Sequence, residues 1–124
     1  MIFGVGVDIA KIPRFEKMLE SPYQLGRLFT ENELKYIFSR GVNALQSLAS
    51  NYAAKEAFFK ALGTGLLLDE IKSVELLHEE AGRPYFKFHG EILSKMQGKT
   101  AHISISHDGE YALCYAVIES EGAI

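Results

Sequence analysis

Apolar positions in the middle of the chain recur with helical spacing. At roughly 100° per residue, Leu45, Leu48, Ala49, Tyr52, Ala53 and Phe59 share one stripe, while Ser50, Ala54, Ala57 and Ala61 form a second face of small residues. Phe58 is apolar outside the main stripe. A helix apolar on most sides is packed on most sides. The spacing predicts one long buried helix from Asn43 to the Gly63-Thr64-Gly65 break. Glu56 projects from the middle of its main stripe, with Lys60 one turn further on. Glu and Lys four residues apart are an ordinary surface pair, but on so apolar a helix the pair is read as the edge of a cleft. A carboxylate there calls for a cation nearby.

The flanking patterns are of two kinds. Ile2 to Ile9 mixes β-branched and aromatic residues with two glycines and predicts a buried strand with close backbone neighbours, Asp8 at its end. Pro13 opens a short amphipathic helix with Ile12, Phe15, Met18 and Leu19 on its apolar face and Lys11, Arg14 and Lys17 along one flank. Thr30 to Glu33 is a capping box, so another helix begins there and stops at Gly41. Beyond Gly65 the period becomes alternating: Ile71 to His78 and Pro84 to Phe88 are two strands turning at Glu80-Ala81-Gly82, followed by a short helix over Glu91 to Gln97. Thr100 to Ser106 and Glu110 to Glu119 form a hairpin that turns at His107-Asp108-Gly109. A strand, then helices, then a run of strands predicts an α+β fold, with the long helix packed on an antiparallel sheet.

In the last strand Ala112, Cys114, Ala116 and Ile118 share one face, and Tyr111, Leu113, Tyr115 and Val117 the other. A strand apolar on both sides lies either at the sheet centre under the long helix or at a subunit interface.

The 124 residues suffice for one domain, residues 1–124, with a single core. The last few residues, after Ser120, read as disordered. The one cysteine, Cys114, excludes an intrachain disulfide, fits a reducing compartment and reads as a packed small residue rather than a nucleophile. Met1 to Asp8 has no basic leader and meets an acid, so it is not read as a signal peptide. No segment reaches the ~18 uninterrupted apolar residues of a membrane span. A cytoplasmic protein with no membrane association is expected. The net charge of −3 argues against a nucleic-acid surface.

Asp8, Glu56, Lys60, His107 and Asp108 are candidates for one site. Two carboxylates from different elements suit Mg²⁺, which keeps waters and completes its shell with phosphate oxygens. Lys60 adds a point charge for a phosphate, and the Gly63-Thr64-Gly65 turn lets a ligand approach backbone amides. The turn is also an ordinary helix stop. The run His102 to Asp108 suggests a serine hydrolase or a two-histidine metal site, yet His102 and His107 have opposite parity in a strand and diverge.

With these residues in hand, the chain resembles the holo-acyl-carrier-protein synthases, the small bacterial type of 4'-phosphopantetheinyl transferase. Gly6-Val7-Asp8-Ile9 is similar to that family's Gly-x-Asp motif, Tyr52 to Gly65 to its aromatic-x-x-Lys-Glu-Ala-x-x-Lys-Ala-x-Gly motif, Gly82-Arg83-Pro84 to its Gly-Lys/Arg-Pro turn, and Ser104 to His107 to its closing motif. Asn51 departs from the pattern, because many relatives carry a basic residue before the aromatic. The resemblance implies the 4'-phosphopantetheinyl transferase fold, and transfer of the 4'-phosphopantetheine arm of coenzyme A to a serine of apo-acyl carrier protein in fatty acid biosynthesis. It implies Asp8 and Glu56 as Mg²⁺ ligands and, with Lys60, as the catalytic set. Coenzyme contacts would come from Lys60, Gly63, Thr64, Gly65, Arg83, Pro84 and His107. It further implies a homotrimer with sites between subunits. The carrier is acidic in this family's chemistry, and Lys11, Arg14, Lys17 and Arg27 offer a matching basic surface. The base that takes the serine proton stays open among a metal-held water, Glu56, Lys60 and His107.

Overall fold

In a computed structural model, which describes residues 1–121, strand β1 (Ile2–Lys11) crosses helix α4 (Ala44–Leu62) backbone to backbone. A Cβ on Gly4 would lie 1.9 Å from the Ala61 carbonyl oxygen, and one on Gly6 would lie 2.0 Å from that of Ala57. Two glycines facing two alanines bring strand and helix closer than ordinary side chains permit. The small face of the helix is the seat of this strand.

β1 is one edge of a three-stranded antiparallel sheet ordered β1-β5-β4, with β4 spanning Lys99–Asp108 and β5 Tyr111–Ser120. Central β5 presses Ala112, Cys114, Ala116 and Ile118, all fully buried, toward α4. Of the two placements open to this strand, its inner face takes the sheet centre under the helix. The opposite face is bare: Tyr111, Leu113 and Tyr115 are exposed, and so are Phe3, Val5, Val7 and Ile9 beside them on β1. The hairpin is tighter than expected. Asp108 still pairs with Tyr111, and the turn is Gly109-Glu110, with Gly109 at φ +58°.

Helix α3 (Glu31–Ser39) starts at the expected capping box: Thr30 Oγ1 accepts from Glu33 N–H at 3.2 Å, and Glu33 Oε1 accepts from Thr30 N–H at 2.9 Å. Glu33 has a second task. Fully buried, it receives Lys55 Nζ at 2.8 Å and the Leu76 N–H at 2.9 Å, while Lys55 Nζ also donates to the Ile71 carbonyl at 3.0 Å. The deeply buried ion pair therefore belongs to Lys55 and Glu33, which sequence reading did not single out.

Three boundaries differ from expectation. The first helix divides into a 3₁₀ turn (Ile12–Phe15) and one α-helical turn, α1 (Glu16–Leu19). Helix α2 (Pro22–Leu28), not foreseen, is capped by Ser21 Oγ, which accepts from Gln24 N–H at 3.3 Å, with Pro22 at its first position. Leu68–Ser73 is a 3₁₀ helix instead of the start of a strand, because the Ile71 carbonyl is taken by Lys55; β2 begins at Val74 (Val74–His78) and pairs with β3 (Pro84–Phe88) in a second sheet. Helix α5 covers Gly90–Lys95. The disorder expected after Ser120 concerns, from residue 122 on, positions outside the described residues. Among the described residues no helix is long and apolar enough to cross a membrane.

Candidate active site

The close crossing of β1 on α4 sets Asp8 against Glu56. Asp8 shares the inward side of β1 with Gly4, Gly6 and Ala10, and its carboxyl lies within hydrogen-bonding reach of the half-buried Glu56 carboxyl. Burial, and then the neighbouring Asp8 carboxylate, hold the Glu56 pKa above its ordinary value; the Tyr52 hydroxyl and the Lys60 charge act in the opposite direction. Tyr52, one turn back along α4, is itself pushed up by burial and by Glu56. Lys60 Nζ donates to the Val7 carbonyl at 2.9 Å and to Asp8 Oδ1 at 3.3 Å. The lysine side chain is 51% exposed and that of Asp8 14%, so the cluster opens to solvent at its rim.

The expected cation near Glu56 is thus Lys60, bonded to Asp8 rather than to Glu56. Two carboxyls from different elements, one of them reluctant to ionise beside the other, are a donor pair for a hard divalent cation. Among the described residues no group of three or more His, Cys, Asp or Glu side chains forms a metal cage. The pair fits an ion that draws its remaining ligands from water and phosphate, and Mg²⁺ commonly binds in that way.

His107 lies elsewhere. Its Nε2 is 2.8 Å from Ser50 Oγ, and that hydroxyl donates its one hydrogen to the Gln46 carbonyl at 2.8 Å. Ser50 must therefore accept, and His107 Nε2 carries the hydrogen between them. His107 lines a cavity of about 330 Å³ together with Arg40, Ser50, Asn51, His78 and Pro84. Ser50 precedes Glu56 by six residues, about 9 Å along α4 and roughly 240° around it. Asp8, Glu56 and Lys60 are brought together, but His107 is on another side of the helix. His102 diverges as expected and bonds Glu119 at 3.0 Å.

The Gly63-Thr64-Gly65 turn closes α4. Gly63, at φ +92°, donates its N–H to the Lys60 carbonyl at 3.1 Å, and Thr64 N–H reaches the Phe59 carbonyl at 3.2 Å, which is a Schellman cap. Two amides of the turn are thereby engaged, and the loop stands exposed next to Lys60. Pro84 borders the His107 cavity while Arg83 is exposed beside it. Lys11, Arg14, Lys17 and Arg27 are all exposed. Arg14 is close enough to Tyr52 to pull its pKa down, so the basic flank adjoins the carboxylate cluster. Cys114 is inert: burial first and Asp8 second push its thiol up to about 12.

A family model described as the 4'-phosphopantetheinyl transferase superfamily matches residues 4–116. The chain belongs to that superfamily. Within it, the chain is similar to a holo-[acyl-carrier-protein] synthase of Treponema denticola, 39% identical over 122 residues that cover 96% of this chain and 99% of the relative. The holo-[acyl-carrier-protein] synthase of Neisseria meningitidis superposes with a TM-score of 0.85 at 28% identity, over 97% of this chain and 100% of the other. That of Bacillus anthracis, solved in complex with CoA (3',5'-ADP), gives 0.82 at 33% identity, over 98% and 99%. The α+β architecture read from the sequence is the transferase architecture.

Sequence reading missed Tyr52 as a partner of Glu56, although the two are four residues apart on one helix face. It also missed Arg40 and His78 in the cavity. Tyr36 and Arg40 have the same four-residue spacing, and the Arg40 guanidinium lies 5.6 Å over the Tyr36 ring. His78 gave no local signal, because its place depends on β2 docking against α3.

Proposed function

We propose that this chain transfers the 4'-phosphopantetheine arm of coenzyme A to a serine hydroxyl of an apo-acyl carrier protein, releasing adenosine 3',5'-bisphosphate, in fatty acid biosynthesis. The observation that carries the reading is the meeting of Asp8 and Glu56 under Lys60, in a chain that its transferase relatives match almost end to end. In the reaction the serine oxygen forms a bond to the β-phosphorus of the coenzyme, the bond from that phosphorus to the bridging oxygen breaks, and the serine proton passes to a base. Asp8 and Glu56 would hold Mg²⁺, and when bound it offsets charge on the pyrophosphate. Lys60, already aimed at Asp8, adds a positive charge on the leaving side. Glu56, whose raised pKa favours taking up a proton, is the protein group of this cluster suited to accept the serine proton.

We further propose a homotrimer with sites completed between subunits, working in the cytoplasm. The bare outer face of the sheet, Phe3, Val5, Val7 and Ile9 beside Tyr111, Leu113 and Tyr115, is an apolar surface of the kind that subunits cover. The separation of the His107 cavity from the carboxylate cluster around α4 supports a ligand held by two chains. Coenzyme contacts from Gly63, Thr64, Gly65, Arg83 and Pro84, and a carrier surface of Arg14, Lys17 and Arg27, belong to the same reading. The test is the mass of an apo carrier incubated with the protein, coenzyme A and Mg²⁺. A gain of one phosphopantetheine arm is expected, and an unchanged mass overturns the reading in favour of a coenzyme-binding module without transfer.

A further inference from the structure

We propose that Tyr52 is a positioning residue of the carboxylate cluster, its hydroxyl holding Glu56 toward Asp8, an inference that rests on the transferase reading above only for what the pair then binds. Tyr52 precedes Glu56 by four residues on α4, about 6 Å along the helix and roughly 40° around it. From Asn51 to Phe59 these two are the positions that are not buried, so they share the open stripe of that segment. The Tyr52 hydroxyl lies within hydrogen-bonding reach of the Glu56 carboxyl. No cation anchors Glu56: among the described residues Lys60 is paired with Asp8, and Glu56 makes no ion pair.

The ring of Tyr52 is fixed from the other side. It packs against Phe15, with centroids 5.5 Å apart and 56° between planes. Phe15 closes the 3₁₀ turn that follows β1, the strand that carries Asp8. One side chain thus leans on the element that delivers Asp8 and bonds the carboxyl on the element that delivers Glu56. Burial first, and Glu56 second, hold the phenol above its ordinary pKa, so it keeps the hydrogen it donates. A half-buried glutamate has several rotatable bonds to fix, and fixing them costs entropy. A hydrogen bond from a braced phenol removes that freedom before any ion arrives, and such partners of ligating carboxylates govern metal affinity. With two protein carboxyls in the set, a misplaced Glu56 would leave Asp8 alone to hold Mg²⁺.

The experiment compares the wild type with Tyr52→Phe, which keeps the ring on Phe15 and loses only the hydroxyl, and with Tyr52→Leu, which loses both. Mg²⁺ affinity by calorimetry is expected to fall roughly 10- to 100-fold in Tyr52→Phe. KM for Mg²⁺ in transfer should rise in parallel, with kcat at saturating Mg²⁺ within about threefold of the wild type. A packing role alone predicts that Tyr52→Phe matches the wild type and that only Tyr52→Leu fails. Unchanged Mg²⁺ affinity in Tyr52→Phe therefore overturns the proposal. A thermal double-mutant cycle without metal reads the contact itself. Tyr52→Phe should lower Tm by about 2–4 °C in the wild-type background and by less than about 1 °C in Glu56→Ala. That result supports the positioning role even if the wild type binds no Mg²⁺, an outcome that would remove only the metal reading. Equal losses of Tm in both backgrounds overturn the proposal.

Discussion

Lys55 Nζ lies 2.8 Å from Glu33 Oε1 with both side chains fully excluded from solvent, so a residue next to the catalytic candidate Glu56 is clamped to a helix 22 positions earlier in the chain. The clamp fixes the rotation of α4. Lys55 also holds the Ile71 carbonyl and Glu33 holds the Leu76 N–H, so α3, α4 and β2 share one polar joint. Burial pulls the Lys55 pKa down and Glu33 counters it. Removing one partner leaves the other charge unpaired in the core. Lys55→Met is expected to destabilise by about 3–5 kcal/mol in denaturant unfolding. Adding Glu33→Gln to that variant should recover part of the loss, because the amide is neutral and still accepts one backbone N–H. A double variant no better than Lys55→Met alone would mean that the pair is not the joint.

Glu56 carries the opposite consequence. Its pKa in the fold is above the unfolded value, so the folded protein binds the proton more tightly, and stability declines as pH rises from the unfolded pKa through the folded one. Without divalent cations Glu56→Gln should therefore raise Tm above that window and leave it nearly unchanged below about pH 4. Mg²⁺ should raise the Tm of the wild type but not of Glu56→Gln. Transfer by Asp8→Ala or Glu56→Ala should fall roughly 100- to 1,000-fold. Normal turnover by both at limiting Mg²⁺ would remove them from the reaction.

Gly6 controls how close the two carboxyls come. A Cβ there would be 2.0 Å from the Ala57 carbonyl oxygen and 2.7 Å from the Ala61 nitrogen, backbone atoms that cannot step aside. Gly6→Ala should push β1 off α4, cost about 1–3 kcal/mol in thermal or denaturant unfolding, and lower Mg²⁺ affinity by separating Asp8 from Glu56. Unchanged stability and metal affinity would contradict the close crossing.

The catalytic candidates were legible because they break a pattern: a Glu within an apolar helical stripe, and an Asp at the end of an apolar strand. Even the second face of α4 was visible as Ala54, Ala57 and Ala61, though nothing local said that Gly4 and Gly6 would sit on it. Lys55 was hidden because its partner arrives with α3. Helix α2 was hidden because Gly26 interrupts a seven-residue segment too short to show a period. The parity of β5 separated its two faces, but only docking on α4 decided that Ala112, Cys114 and Ala116 turn inward. The Arg40 cavity exists only once α3, α4, β2 and β4 have closed around it.

The outward face of β5 makes the assembly proposal specific. Tyr115 is 45% exposed opposite Val7 on β1, in the middle of the bare surface. A charge there should not disturb the monomer core, whereas Ala116, fully buried under α4, would report unfolding rather than dissociation. Tyr115→Glu is expected to convert the assembly to monomers by light scattering while retaining helical circular dichroism, and to lose transfer. A variant that stays trimeric would place the interface on another surface.

Arg14 tests the separation of docking from chemistry. It is exposed on the 3₁₀ turn after β1, and its charge reaches Tyr52, which itself adjoins Glu56. A carrier held at that flank would present its serine beside the carboxylate cluster, and an acidic surface on the carrier would be steered there. Arg14→Glu should raise KM for the carrier roughly 5- to 30-fold and flatten its dependence on salt, because an exposed charge acts mainly on encounter. Coenzyme A affinity should stay within about twofold, since Arg14 is not among the residues that line the cavity of Arg40 and His107. Steady-state kinetics at two ionic strengths, varying each substrate in turn, separate the effects. Should coenzyme affinity fall while carrier dependence is unchanged, the basic flank belongs to the nucleotide, and the carrier must approach α4 from another side.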